Sequence, residues 1–208
     1  MLSPFENYRG IAAPLGQVNI NTDAIIPATY LRSASADLGA GLFARWRYEE
    51  NGEPKPDFIL NQTPYDRAAI LIAGANFGCG SSREAAVWAL LRFGIRCVIA
   101  PSYADIFYEN CFRNGLLPAL VSPADLEIAM AQSKVPHGGD FFIDLTRSRI
   151  VLPQGKEIEF SIPSMRRDAL LRGDDDIATT LRQEEAMANF NLKDRQARPW
   201  IYAMENPP

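Results

Sequence analysis

Histidine is nearly absent from this chain: His137 is the only one in 208 residues. It sits in Pro136-His137-Gly138-Gly139, a turn sequence in which a ring is solvated rather than poised. A Ser-His-Asp triad and a histidine-built zinc centre therefore have almost no material here. Cysteine is also scarce. Cys79, Cys97 and Cys111 form no C-x-x-C pair and no short metal spacing, so no metal site is expected in this chain. Cys97, in Cys97-Val98-Ile99-Ala100, reads as buried packing. There is no basic run, and the net charge is −4, which argues against nucleic acid as a main partner. No apolar stretch approaches the roughly 20 residues that cross a bilayer. Residues 1–15 lack both a basic start and a continuous apolar segment, so the expected location is cytoplasmic and no membrane partner is expected.

Two familiar phosphate loops are missing as well. Gly78-Cys79-Gly80 is followed by Ser81-Ser82-Arg83, without the third glycine of a dinucleotide fingerprint and without the lysine of a P-loop. What stands there is still the most informative stretch of the chain. Asn76 to Glu84 lies between the apolar run Ala68–Ala73 and a helix-forming run, Ala85–Leu91, and reads as strand, glycine turn, helix. Ser81 with Glu84 fits a capping box, which predicts a helix over 82–93. A helix N-terminus carries free N–H groups and partial positive charge, Arg83 adds a full charge, and glycines allow close approach of a ligand. The segment is a candidate anion pocket. Its simpler reading is an ordinary strand-to-helix turn with a good cap.

With 47% hydrophobic residues the chain can bury a sizeable core, as one large domain or one domain with arms. Regular alternation begins at residue 68. Strands are predicted at 68–74, 96–100 and 116–121, helices at 82–93, from Ser102 (a second possible capping box with Asp105) and at 123–133. This order indicates an α/β fold with a largely parallel sheet and helical crossovers. In such sheets ligands bind beyond the carboxyl ends of the strands, where Ser81 and Ser102 would lie. Short additional strands follow over 140–163, then helices at 164–172 and 176–189. Residues 9–20 form a strand with a turn at Pro14, and Asn19 to Pro27 a hydrogen-bonded loop. Residues 28–57, rich in glycine, proline and charge toward their end, read as an exposed excursion. The domain is expected over 1–190, with 191–208 as a tail that is disordered or docks through Trp200 and Tyr202.

Taken together, Asn21-Thr22-Asp23-Ala24-Ile25-Ile26-Pro27, Asn76 to Glu84, Val98 to Phe107 and Asn110 to Pro118 resemble the small subunit of 3-isopropylmalate dehydratase, which is similar to the swivel domain of aconitase. The resemblance covers most of residues 5–190 and implies a swivelling β/β/α domain. It implies a hydro-lyase reaction in leucine biosynthesis, in which 2-isopropylmalate loses and regains water to give 3-isopropylmalate. It implies a [4Fe–4S] cluster held by an iron–sulfur large subunit, not by this chain, so that this chain is half an active site and a heterodimer is expected.

By motif position, Ser81 resembles the family's catalytic base and Asp23 an acidic residue that orients groups at the site. Ser82 and Arg83 would bind a carboxylate of a small 2-hydroxy diacid. A guanidinium suits that role because it can bond both oxygens. Two departures stand out. Ala85 follows Ser82-Arg83-Glu84 where the family usually has histidine. Ser35-Ala36-Asp37-Leu38-Gly39 lies where the family usually has a loop bearing an arginine, and Arg32 is the expected substitute. A methylmalate- or dimethylmalate-type hydratase, or a non-catalytic anion-binding module, are the alternatives.

Overall fold

The computed structural model describes residues 2–32, 36–134 and 140–202. The His137 turn and Ser35 lie outside the described residues. The elements run β1 (Tyr8–Pro14), α1 (Thr22–Ile25), α2 (Leu38–Gly41), α3 (Ala44–Arg47), β2 (Ile70–Ile72), α4 (Ala85–Phe93), β3 (Cys97–Ala100), α5 (Asp105–Asn114), β4 (Leu117–Leu120) and α6 (Pro123–Ser133). Then come β5 (Asp140–Asp144), β6 (Arg149–Val151), β7 (Glu157–Glu159), α7 (Ser164–Arg172), α8 (Asp176–Leu181), α9 (Glu184–Ala197) and α10 (Pro199–Tyr202).

The seven strands form one sheet in the order β4-β3-β2-β1-β5-β6-β7. β1 to β4 are parallel, and β5 to β7 are added antiparallel beside β1. The parallel half, with helices between its strands, is the α/β fold that the alternation predicts. The sheet curls far enough for Ser161, just past β7, to donate its N–H to Leu120 at the end of β4. Successive residues of each parallel strand feed different cores, as the two-residue period of a strand requires. Ile70, Ile72, Cys97 and Ile99 point into the curl with Phe141 and Ile143. Leu71, Val98 and Ala100 point outward under α4 and α5, against Leu90, Phe107 and Cys111.

Residues 28–57 depart from the expected exposed excursion. Residues 49–54 are exposed, but Leu42 and Phe43 are fully buried. Phe43 stacks on Trp46 with ring centroids 5.5 Å apart and donates its N–H to the Ile25 carbonyl. Arg47 ties the segment down through Asn61 and the Gly39 carbonyl, each at 3.2 Å, and lies over the Phe93 ring; burial pushes its pKa down. One-turn helices carry no sustained hydrophobic period, so this packing leaves no pattern in the sequence.

The helix expected over 176–189 is two helices. Between them Arg182 forks onto both carboxylate oxygens of Asp174, at 2.6 and 2.9 Å, and Arg172 adds a bond at 2.7 Å. α9 then runs across position 190 and buries none of its residues.

Candidate active site

Three loops meet at the carboxyl edge of the parallel strands, one after each of β1, β2 and β3. Main-chain bonds join them: Gly78 N–H to Ile20 O, Thr22 N–H to Cys79 O, Phe77 N–H to Ser102 O and Ala104 N–H to Phe77 O, at 2.8 to 3.1 Å. Gly78 takes φ +75°, and a Cβ there would lie 2.1 Å from the Phe107 ring. Gly80 takes φ +93° with Asn21 close by. Both positions need glycine, because a side chain would strain the backbone and, at Gly78, collide.

The capping boxes expected at Ser81 and Ser102 are not formed. α4 begins at Ala85 with Glu84 at its N-cap, because the Gly80 turn is followed by a tight bend in which Arg83 N–H binds Ser81 O at 2.8 Å. α5 is capped at Ala104, and the Ser102 hydroxyl instead accepts the Asn76 N–H at 2.8 Å. The hydroxyl of Ser81 is turned to a distant partner. It lies 2.9 Å from Thr22 Oγ1, and that same Thr22 hydroxyl lies 3.0 Å from the Ser81 carbonyl. Ser81 therefore lies three residues before the N-cap Glu84 and does not cap the helix that was expected to support it.

Asp23 is paired with Arg83. Arg83 Nη1 donates to the Asp23 carboxylate and, at 3.3 Å, to the Ile26 carbonyl. The turn itself is bonded by Asn21, whose side chain accepts the Ala24 N–H at 2.8 Å and caps α1. A guanidinium has five N–H groups, and the two on Nη1 are used. Among the described residues, nothing binds the Nε–H and Nη2–H edge, the edge that matches a carboxylate side-on. Ser82 is exposed beside it.

Arg32 is exposed at the end of a 3-10 turn over Ala28–Leu31 and is not joined to the Asp23–Arg83 pair. An open groove of about 980 Å³ passes Tyr30, Ala44 and Arg45 on the neighbouring surface, and none of the five candidate residues lines it. The five candidate residues lie apart from that groove. The loop edge brings together a hydroxyl, an arginine edge and a carboxylate.

The cysteines do not assemble into a ligand set. Cys97 and Cys111 are buried, and burial pushes both thiols up, away from the thiolate a metal needs. Cys79 is partly exposed in the site loop. Among the described residues no three His, Cys, Asp or Glu side chains converge on a metal-sized point, and no helix is long and apolar enough to cross a membrane. The one functional candidate that motif reasoning passed over is Thr22. Its signal was its place in the Asn21-Thr22-Asp23 cluster, but its reach across the chain to Ser81 is invisible locally.

Comparison with known proteins gives a consistent picture. The family model for the aconitase C-terminal domain matches residues 2–124. A 3-isopropylmalate dehydratase small subunit from Rhodospirillum centenum is 49% identical over 200 residues, covering 96% of this chain and 98% of that one. The protein of the same name from Agrobacterium fabrum is 50% identical, covering 96% of this chain and all of its own length. Among solved structures, 3-isopropylmalate dehydratase from Methanocaldococcus jannaschii superposes with a TM-score of 0.63 at 29% identity, covering 88% of this chain and 99% of that chain.

Proposed function

This chain belongs to the family of 3-isopropylmalate dehydratase small subunits, within the aconitase C-terminal domain family, and we propose that its loop edge supplies the proton-transfer and carboxylate-binding half of the active site. It is the small subunit of a hydro-lyase that acts with a large subunit, isomerising 2-isopropylmalate to 3-isopropylmalate in leucine biosynthesis. Relatives of the same name at about half identity across nearly the whole chain support isopropylmalate over the methylmalate and dimethylmalate alternatives.

The observation that carries the assignment of roles is the free edge of Arg83. Asp23 and the Ile26 carbonyl hold Nη1, which fixes the guanidinium plane and leaves Nε and Nη2 to fork onto one substrate carboxylate. Ser82 adds a hydroxyl to the same carboxylate. Ser81 takes the proton from the substrate carbon, and Arg83 beside it favours the alkoxide by its charge. Asp23 orients Arg83 and does not itself exchange a proton. Arg32 takes the second carboxylate, in place of the arginine that the loop after it lacks. A diacid with one carboxylate unpaired would bury an uncompensated charge, which is costly.

The cysteines of this chain do not fit an iron–sulfur cluster, and the reading gives a [4Fe–4S] cluster to the large subunit. When bound, such a cluster supplies the Lewis acid that holds the substrate hydroxyl. The enzyme is read as a cytoplasmic heterodimer. Residues 1–190 act as one swivelling domain and 191–208 as its tail, with α9 running from one into the other.

Co-expression with the large subunit tests the reading. The purified pair is expected to interconvert 2- and 3-isopropylmalate and to prefer them to smaller 2-hydroxy diacids, and this chain alone is expected to do neither. Equal or greater turnover of a methylmalate-type substrate by the pair would overturn the assignment. So would tight diacid binding by the isolated chain with no activity in the pair.

A further inference from the structure

Thr22 is one of the few buried polar residues among the described residues, with 1% of its surface exposed. Everything around it fixes its position. Its N–H is held by the Cys79 carbonyl at 2.8 Å and its carbonyl by the Ile26 N–H at 3.0 Å. The bridge between Asn21 and Cys79 joins its strand-end loop to the Ser81 loop, and the backbone of Gly80 passes beside it. Its hydroxyl has two neighbours within bonding distance, and both belong to Ser81: the carbonyl at 3.0 Å and Oγ at 2.9 Å.

We propose that Thr22 is a positioning residue for Ser81, a hydroxyl that switches between accepting from Ser81 and donating to it as Ser81 gains and loses its proton. The proposal rests on the reading of Ser81 as the base. A hydroxyl has one proton to give and lone pairs to receive. The Ser81 carbonyl can only accept. While Ser81 is protonated, the Thr22 O–H donates a hydrogen bond to that carbonyl, and the Ser81 O–H points at Thr22 Oγ1. The Ser81 lone pairs then face the open site.

When Ser81 is an alkoxide, it has no proton to offer. Thr22 then turns its own O–H through a small rotation from the carbonyl oxygen to Oγ. That bond is charge-assisted and already placed, so it favours the anion without moving the backbone. In the transfer itself the substrate C–H bond breaks and the Ser81 Oγ–H bond forms. The C–H electron pair becomes the new double bond as hydroxide leaves the neighbouring carbon. Thr22 then swings back to the carbonyl, until rehydration adds hydroxide to one carbon of the double bond, Ser81 returns its proton to the other, and Ser81 is an alkoxide again. Thr22 keeps its proton throughout, touches no substrate atom and acts only through Ser81.

Burial makes the arrangement effective. Water has little access to Thr22 Oγ1, so the bond competes with no solvent partner, whereas Ser81 itself is exposed to the site. A merely structural Thr22 would need one partner for its hydroxyl and would be indifferent to Ser81 Oγ.

The test uses the reconstituted two-subunit enzyme with Thr22→Val, Thr22→Ser and Ser81→Ala. Thr22→Val keeps the shape and removes the hydroxyl; Thr22→Ala makes the same comparison if valine disturbs assembly. The expected loss in kcat is about 10- to 100-fold for Val or Ala, the range of one charge-assisted bond, with KM within about twofold. With substrate deuterated at the abstracted carbon, the isotope effect on kcat should rise, because proton removal has become slower. Thr22→Ser should restore kcat to within about threefold, since its hydroxyl can reach the same two atoms. If Val and Ala both keep kcat within threefold while Ser81→Ala is inactive, Ser81 is the base without help and the proposal fails. If Thr22→Ser is as impaired as Val, the methyl group matters and not the hydroxyl, and the proposal fails again. Full turnover by Ser81→Ala would remove the base assignment first, and this inference with it.

Discussion

Asp23 and Arg83 are sixty residues apart in the chain and form one ion pair, shared through a single guanidinium nitrogen with the Ile26 carbonyl. The pair is half open to solvent, so its own contribution to stability is small. Its consequence is directional. It spends one end of the arginine and leaves the other end as a preformed fork.

Arg83→Lys should therefore be a damaging change. Lysine keeps the charge but cannot hold Asp23 and fork onto a carboxylate at once. The expected loss in kcat/KM corresponds to about 1.5–3 kcal/mol, shared between KM and kcat. Steady-state kinetics of the two-subunit enzyme measures it. Wild-type behaviour would mean that Arg83 acts by charge at a distance.

Arg32→Ala should raise KM for 2-isopropylmalate far more than Arg45→Ala does. Arg32 follows the 3-10 turn beside the loop that lacks an arginine, whereas Arg45 belongs to the neighbouring groove. Parallel KM measurements on the two variants decide it. Equal effects would move recognition of the second carboxylate to the large subunit.

Phe43→Ala should cost about 3–5 kcal/mol, the usual range for emptying a fully buried aromatic site. Chemical unfolding of the isolated chain measures this directly. A cost near zero would restore the reading of residues 28–57 as an exposed excursion.

Asp174 is held well below the usual carboxylate range by its hydrogen bonds, first with Arg182 and then with Arg172. A carboxylate whose pKa is depressed by folding stabilises the fold above its ordinary value of 3.8 and loses that contribution as pH falls through the depressed one. Asp174→Asn should lower the melting temperature at neutral pH, and the gap to wild type should close only in strong acid. A pH series of thermal melts reads this out. A gap that is already closed near pH 5 would show that the two arginines do not hold Asp174 as described.

The outline of the parallel half was legible in the sequence, because strands such as Ile70–Ile72 and Cys97–Ala100 are continuous apolar runs between turn signals. α4 ends at residue 93 as expected, and Gly94 N–H binds the Leu90 and Leu91 carbonyls there. What local pattern could not give was partner choice across the chain. Ser81 and Ser102 both look like helix caps from their neighbours, yet each spends its hydroxyl on another loop. Asn21 and Asp23 are equally good turn formers by composition, and only the fold decides that Asn21 caps and Asp23 pairs. Leu42 and Phe43 were hidden for the opposite reason: they lie between two one-turn helices that are too short to repeat a pattern.

The most direct test of the central claim is turnover of 2-isopropylmalate by the two-subunit enzyme carrying Ser81→Ala. Ser81 is exposed and caps no helix, so the variant should fold, melt and assemble with the large subunit as wild type does. The account predicts a fall in kcat of roughly 10²–10⁴, the range for losing a proton-transfer group, with assembly intact. Turnover within about threefold of wild type would contradict it, because the base would then have to come from elsewhere in the complex.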